Sequence, residues 1–174
     1  RGPMVHKVIT QLTEDVEWGQ LDYLIVDLPP GTGDTQLTVL QTIPLTGAVV
    51  VTTPQQVAVD DARKGLRMFG RHDATVLGIV ENMSTFVCPD CGGEHDIFGA
   101  GGGAAFADEV DMPFLGSIPL DPAVRAGGDA GEPAVLGESE VGDAFRSVTG
   151  GVADMVGVVR RRAHLGNASE PAEH

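Results

Sequence analysis

Two groups of residues in this sequence could do chemistry. The first is Asp27, which ends the apolar run Tyr23–Val26 and precedes Leu28-Pro29-Pro30-Gly31-Thr32-Gly33. A continuous apolar run closed by prolines and glycines has the pattern of a strand buried on both faces. Open α/β sheets bind ligands at the carboxyl ends of such strands. A carboxylate there, followed by a loop whose glycines let the backbone approach closely, can hold Mg²⁺ and sense a terminal phosphate. The same residues fit an ordinary strand whose Asp caps the next turn, and local pattern leaves both readings open.

The second group is Cys88-Pro89-Asp90-Cys91-Gly92-Gly93, with His95 close behind. Thiols at this spacing form half of a zinc knuckle, to which His95 could add a third ligand. A redox pair is the other reading. It fits less well, because redox pairs open a helix, whereas Pro89, Gly92 and Gly93 favour a knuckle loop. Two cysteines in 174 residues do not build a secreted disulfide framework. The run Gly101-Gly102-Gly103 lacks the Lys-Ser/Thr pair of a phosphate-cradling loop and reads as the plain start of a helix.

These groups need a scaffold, and hydrophobic periodicity supplies one. Helical spacing runs through Met4, Val5, Val8, Ile9, Leu12 and Val16, with Pro3 suited to a first turn. A strand is expected at Tyr23–Leu28, then a helix from Asp34 or Thr35 through Ile43, stopped by Pro44. Further strands are expected at Ala48–Thr52, Thr75–Val80 and Phe114–Ile118. Helices are expected at Val57–Phe69, Gly101–Val110 and Val141–Arg162. Thr85–Phe98 reads as an insertion carrying the cysteines, and Gly127–Gly137 as acidic turns. The cations Arg160, Arg161 and Arg162 suit a helix carboxyl end. Alternating strands and helices predict an α/β fold, a mostly parallel sheet covered by helices on both faces. Residues 1–162 read as one partial domain, and 163–174 as a disordered polar tail.

Formal net charge is −14, with 25 acidic residues and only Lys7 and Lys64 as lysines. That balance argues against nucleic acid and against anionic membrane as partners. It also raises a halophilic origin, since salt screens the repulsion of an acidic surface. Solubility and melting temperature are then expected to rise in molar KCl; an indifferent protein would remove the idea. No leader or membrane-length apolar run is apparent, so a cytoplasmic location is expected.

Taken in order, Arg1-Gly2-Pro3-Met4, Asp22–Asp34 (DYLIVDLPPGTGD), Val51-Thr52-Thr53-Pro54-Gln55, Val80-Glu81-Asn82-Met83-Ser84, Cys88-x-x-Cys91 and Ile118-Pro119-Leu120-Asp121 closely resemble one family. It is the Mrp/ApbC-type iron–sulfur cluster carrier ATPases, in the MinD-like branch of P-loop NTPases. The resemblance runs from Arg1 to about Pro133. It implies that Asp27 is the Walker B carboxylate, holding Mg²⁺ through water, and that Gly31 belongs to the loop that senses the γ-phosphate of ATP. It implies that Asn82 recognises adenine, with Pro119 and Asp121 on the loop beside the base. It also implies that Cys88 and Cys91, paired across a homodimer, bind one 4Fe-4S cluster for delivery to apo iron–sulfur proteins. Two thiolates cannot complete a four-ligand cluster, so a second chain has to bring two more. Zn²⁺ at the Cys pair stays the alternative.

One departure stands out. The family's glycine-rich, lysine-bearing Walker A loop is not here, and neither Lys7 nor Lys64 lies in a glycine-rich loop. The chain therefore reads as the carboxyl-terminal portion of the family's ATPase domain. Without the backbone N–H cradle and the lysine charge, phosphoryl transfer loses most of its positioning, so the chain alone is expected not to hydrolyse ATP. The competing readings are a MinD-like positioning or partition ATPase and a zinc-stabilised remnant without enzyme activity. The first would leave the CxxC without a purpose and calls for a basic amphipathic carboxyl end that the sequence does not show.

Overall fold

The apolar run Leu77–Val80 becomes the centre of the sheet. β2 (Val76–Val87) lies between β1 (Ala48–Thr52) and β4 (Phe114–Leu120) and is parallel to both. The computed structural model describes residues 2–29, 31 and 33–167. Successive strand residues point to opposite faces, and both faces of β2 are covered. Ile79 packs with Val50, Val59, Met68, Phe69 and Phe106, while Val80 packs with Ile118, Val141 and Val148. The first face belongs to α3 (Gln56–Arg71) and α4 (Gly102–Glu109), the second to α6 (Glu140–Asn167). Each side chain as buried as Ile79 or Phe106 contributes about 1.5–3 kcal/mol relative to exposure. The expected α/β architecture, parallel and covered on both faces, is the one observed.

α3 and α4 serve as the crossovers that parallel neighbours require. They are tied by a bidentate pair, Arg63 donating to Glu109 at 2.6 and 2.8 Å, with the guanidinium 4.9 Å from the centre of the Phe106 ring.

Several expectations differ from the structure. The strand expected at Tyr23–Leu28 does not form: residues 23–29 join no ladder, and Ile25 is 80 % exposed. A strand draws its hydrogen bonds from a neighbour, and no described strand lies beside this run. Before it, α1 (Gly2–Thr10) continues into one π-helical turn, Gln11–Asp15, and α2 (Asp34–Thr42) follows it. α2 reaches the sheet through Leu37 and Leu40, which pack on the first face.

The acidic, glycine-rich stretch expected as turns from Gly127 is partly helical. α5 (Pro122–Ala130) starts at Asp121, whose carboxylate accepts the Ala123 N–H at 2.7 Å, and ends at left-handed Gly131. A carboxylate cap, a proline in the first turn and a terminal glycine outweigh the two internal glycines. The short 3₁₀ turn Ala134–Leu136 then leads to α6. Finally, α6 continues past Arg162 to Asn167, and the rest of the expected tail, 168–174, lies outside the described residues.

The expected insertion at Thr85–Phe98 proves to be partly an extension of the sheet. β2 runs on to Val87, and β3 (Glu94–His95) returns antiparallel to it, pairing with Phe86 and Val87. Among the described residues, no helix is long and apolar enough to cross a membrane.

Candidate functional site

Cys88 and Cys91 sit at the tip of the β2–β3 hairpin. Cys88 N–H donates to Gly93 O at 2.9 Å, and Gly92 N–H donates to Cys88 O at 2.8 Å, so backbone bonds close the turn. Gly92 has φ of +68°, a left-handed conformation that a side chain would strain. Cys88 is half-buried and Cys91 is exposed. The N–H groups of Asp90 and Cys91 and the Cys91 thiol hydrogen-bond to the Cys88 sulfur, holding its thiol below the usual range against a smaller opposing effect of burial. Cys88 is therefore biased toward thiolate, the form that binds metal. A β-carbon at Gly93 would lie 3.4 Å from Cys91 Sγ and 3.5 Å from His95 Nε2, so the missing side chain leaves both unobstructed. Even so, among the described residues no three His, Cys, Asp or Glu side chains are placed to hold a metal ion. The hairpin offers two soft donors, which is half a cluster's ligand set.

Upstream on the same strand, in the middle of β2, Asn82 sits opposite Ile118 near the carboxyl end of β4. The register slips between Asn82 and Phe86, and Met83 takes a left-handed φ of +54°. This is a bulge, which re-aims side chains at a sheet's rim. Asn82 Oδ1 accepts the Met83 N–H at 2.9 Å, and the buried Ser84 hydroxyl donates to Ile118 O at 3.1 Å. Pro119, expected on a loop beside a base, lies inside β4 instead. A proline can occupy a strand only where no ladder N–H is needed. Asp121, expected on the same loop, begins α5 as its cap and has one oxygen engaged there. The structure thus brings Asn82, Pro119 and Asp121 to one end of the sheet.

Asp27 and Gly31 belong to the unpaired segment, and no ladder among the described residues joins that segment to the Asn82 end. Asp27 is exposed at the mouth of a cavity of about 240 Å³ walled by Ile9, Leu12, Trp18, Leu24, Val39 and Ile43. Its walls are apolar and unlike a phosphate site. Gly31 has φ of +98°, so the turn there depends on glycine. Pro30 and Thr32, its neighbours, lie outside the described residues.

Two polar residues that sequence reasoning passed over are buried around these loops. Gln36 on α2, 3 % exposed, donates from Nε2 to Pro29 O at 2.6 Å and so tethers the loop after Asp27. Glu81, 2 % exposed, accepts Gly103 N–H at 2.6 Å and Gly101 N–H at 3.3 Å. The start of α4 therefore holds the protein's own carboxylate where a phosphate would bind, and the Gly101–Gly103 run is a helix start. Lys64 pairs with Asp61 on α3. The described residues thus supply no cradle for a nucleotide's phosphates. A clue to Glu81 existed, a lone charge closing an apolar strand, but its glycine partners lie far along the chain. Gln36 carried no signal.

Comparisons with known proteins agree with this geometry. The family model described as "ParA: NUBPL iron-transfer P-loop NTPase" matches residues 1–153. An iron-sulfur cluster carrier protein from Deinococcus radiodurans is 52% identical over 160 residues, covering 91% of this chain and 45% of that protein. The iron-sulfur cluster transfer protein NUBPL of Mus musculus is 50% identical over 138 residues, covering 79% of this chain and 43% of that protein. The chain thus spans less than half the length of these two relatives. A solved nucleotide-binding protein from Archaeoglobus fulgidus, in complex with ADP, is 40% identical with a TM-score of 0.67, covering 74% of this chain and 53% of that one. The Pyrococcus furiosus cell division ATPase MinD has a TM-score of 0.65 at 25% identity, covering 89% of this chain and 59% of its own. By the family match, the identities and the fold together, the chain belongs to the NUBPL-type iron-transfer P-loop NTPases.

Proposed function

We propose that this chain carries a 4Fe-4S cluster as cargo, held by Cys88 and Cys91 of two copies and passed to apo iron–sulfur proteins. The observation that carries the reading is the hairpin tip: two accessible sulfurs, Cys88 biased toward thiolate, and no set of three donors placed to hold a metal among the described residues. A donor set left half complete makes a homodimer a chemical requirement of the cluster. Exposure of Cys91 suits delivery, because an acceptor's thiolates can replace the carrier's at iron by ligand exchange, with no change of oxidation state. The names of the relatives, a cluster carrier and a cluster transfer protein, support the same reading. Free thiols of this kind suit the reducing cytoplasm.

Nucleotide belongs to the complete domain in this proposal. Asp27 would hold Mg²⁺ through water, Gly31 would sense the γ-phosphate of ATP, and Asn82 would recognise adenine with Pro119 and Asp121 beside it. The phosphate cradle has to come from outside the described residues, so this chain alone is proposed to be inactive as an ATPase. The ADP-bound neighbour supports a nucleotide site on this fold.

Anaerobic reconstitution with iron and sulfide tests the cargo. The wild-type chain is expected to turn brown and to bind iron and sulfide in equal amounts, while Cys88→Ser and Cys91→Ser stay colourless. Zinc bound without iron or sulfide would defeat the cluster reading in favour of the zinc knuckle.

A further inference from the structure

The segment that carries the cysteines leaves β2 after Val87, pairs back on that strand through β3, and meets it again at Gly101, where α4 begins. Its first end is fixed covalently, as a continuation of β2. Its second end is gripped by a side chain from that same strand: Glu81 takes the Gly103 N–H at 2.6 Å and the Gly101 N–H at 3.3 Å, one amide on each carboxylate oxygen. We propose that Glu81 is the positioning residue of the cysteine loop, a buried carboxylate that anchors the loop's return and so sets how firmly Cys88 and Cys91 hold iron.

Several features make the grip specific. The carboxylate is 2 % exposed, and none of the ion pairs among the described residues includes it. A buried charge is tolerated when hydrogen bonds and a helix amino terminus compensate for lost water. The approach also requires glycines. Gly101 has φ of +71°, and a β-carbon at Gly102 would collide with the backbone carbonyl of Pro54. One at Gly103 would lie 2.9 Å from Glu81 Cβ and 3.3 Å from Thr52 Cγ2. Glu81 thus draws α4 against the carboxyl end of β1 and the middle of β2. Its neighbour Asn82 points to the opposite face of the strand. The adenine-side residue and the anchor of the cysteine loop are therefore consecutive on one strand.

The inference rests on the cluster reading only for its iron readout. The test compares the full wild-type chain with Glu81→Gln and Glu81→Asp. Glutamine keeps the shape but turns an NH₂ toward an N–H donor. Aspartate keeps the charge and shortens the reach. Three quantities are measured: amide exchange at Gly101 and Gly103 against Ile79 and Ile118, alkylation rates of the two thiols, and loss of iron to a chelator after reconstitution. In Glu81→Gln, exchange at Gly101 and Gly103 and the loss of iron are expected to rise about tenfold or more, as expected for a lost charge-assisted hydrogen bond. The sheet amides are expected to hold, and Glu81→Asp to fall between. Loop exchange and thiol rates equal to wild type would overturn the proposal. So would uniform loosening of sheet and loop, or failure of both variants to fold, since Glu81 would then serve the core alone. A wild-type chain that takes up no iron would sink the cluster reading, while exchange and alkylation still decide the role of Glu81.

Discussion

The hairpin end of the sheet and the segment around Asp27 carry equally strong sequence patterns and have different fates. Around Cys88 the backbone is paired within the chain: β2 pairs on both sides, β3 closes the turn, and Glu81 accepts the Gly101 and Gly103 N–H groups where α4 begins. Around Asp27, the apolar run Tyr23–Val26 stays exposed, with Gln36 holding Pro29. The difference teaches that a strand pattern states a need for neighbours and does not provide them. The two sulfurs are therefore brought together on one hairpin, whereas the residues expected around phosphate are not assembled among the described residues.

Truncating each region in turn gives the largest contrast. Phe106→Ala removes a side chain 1 % exposed and is expected to cost about 3–5 kcal/mol in urea unfolding. Ile25→Ala, at 80 % exposure, is expected to change stability by less than about 0.5 kcal/mol. Equal costs would mean that the Asp27 segment is packed after all. A smaller effect sharpens the hairpin side. Gly102→Ala sets a β-carbon against the backbone carbonyl of Pro54 and is expected to cost about 1–3 kcal/mol. Gly128→Ala in α5, with open space around it, is expected to be neutral or slightly stabilising by the same measurement.

Next comes a shift in pH dependence rather than in stability. Hydrogen bonds from the Asp90 and Cys91 N–H groups and the Cys91 thiol favour the Cys88 thiolate, so Cys88 alkylation persists below the ordinary thiol range. Its rate falls as pH drops through the lowered pKa. Cys91→Ala removes the thiol donor alone, so the inflection is expected to move to higher pH yet stay below that of a free cysteine. An inflection that does not move would assign the whole shift to the backbone. The smallest expected effect lies at Asp27. Asp27→Asn is expected to leave the melting temperature with and without Mg-ATP unchanged in this chain, and ATP turnover absent in both proteins. Measurable hydrolysis would erase the contrast between the regions.

Much of the scaffold was legible because its signals are local. Continuous apolar runs and the helical period set β1, β4, α3, α4 and most of α6 to within a few residues, and the run before Glu81 marked a strand. β2 ran longer than expected because a bulge at Met83 carries the strand through residues that look like a loop. α5 was hidden by Gly127 and Gly128, although Asp121-Pro122 held the start signal in plain view. For the site, the cysteine turn was readable from its spacing and glycines. The grip of Glu81 on Gly101 and Gly103 was not, since it joins residues that only the folded sheet brings together. Pro119 and Asp121 were expected together on one loop, and strand pairing divided them between β4 and the start of α5.

Native mass spectrometry of the anaerobically reconstituted chain tests the shared half-site most directly. The account predicts a species of two chains with one 4Fe-4S cluster that falls to apo monomers when the iron is chelated. Iron held by a single chain, or a dimer that persists unchanged in Cys88→Ser with its metal intact, would contradict it.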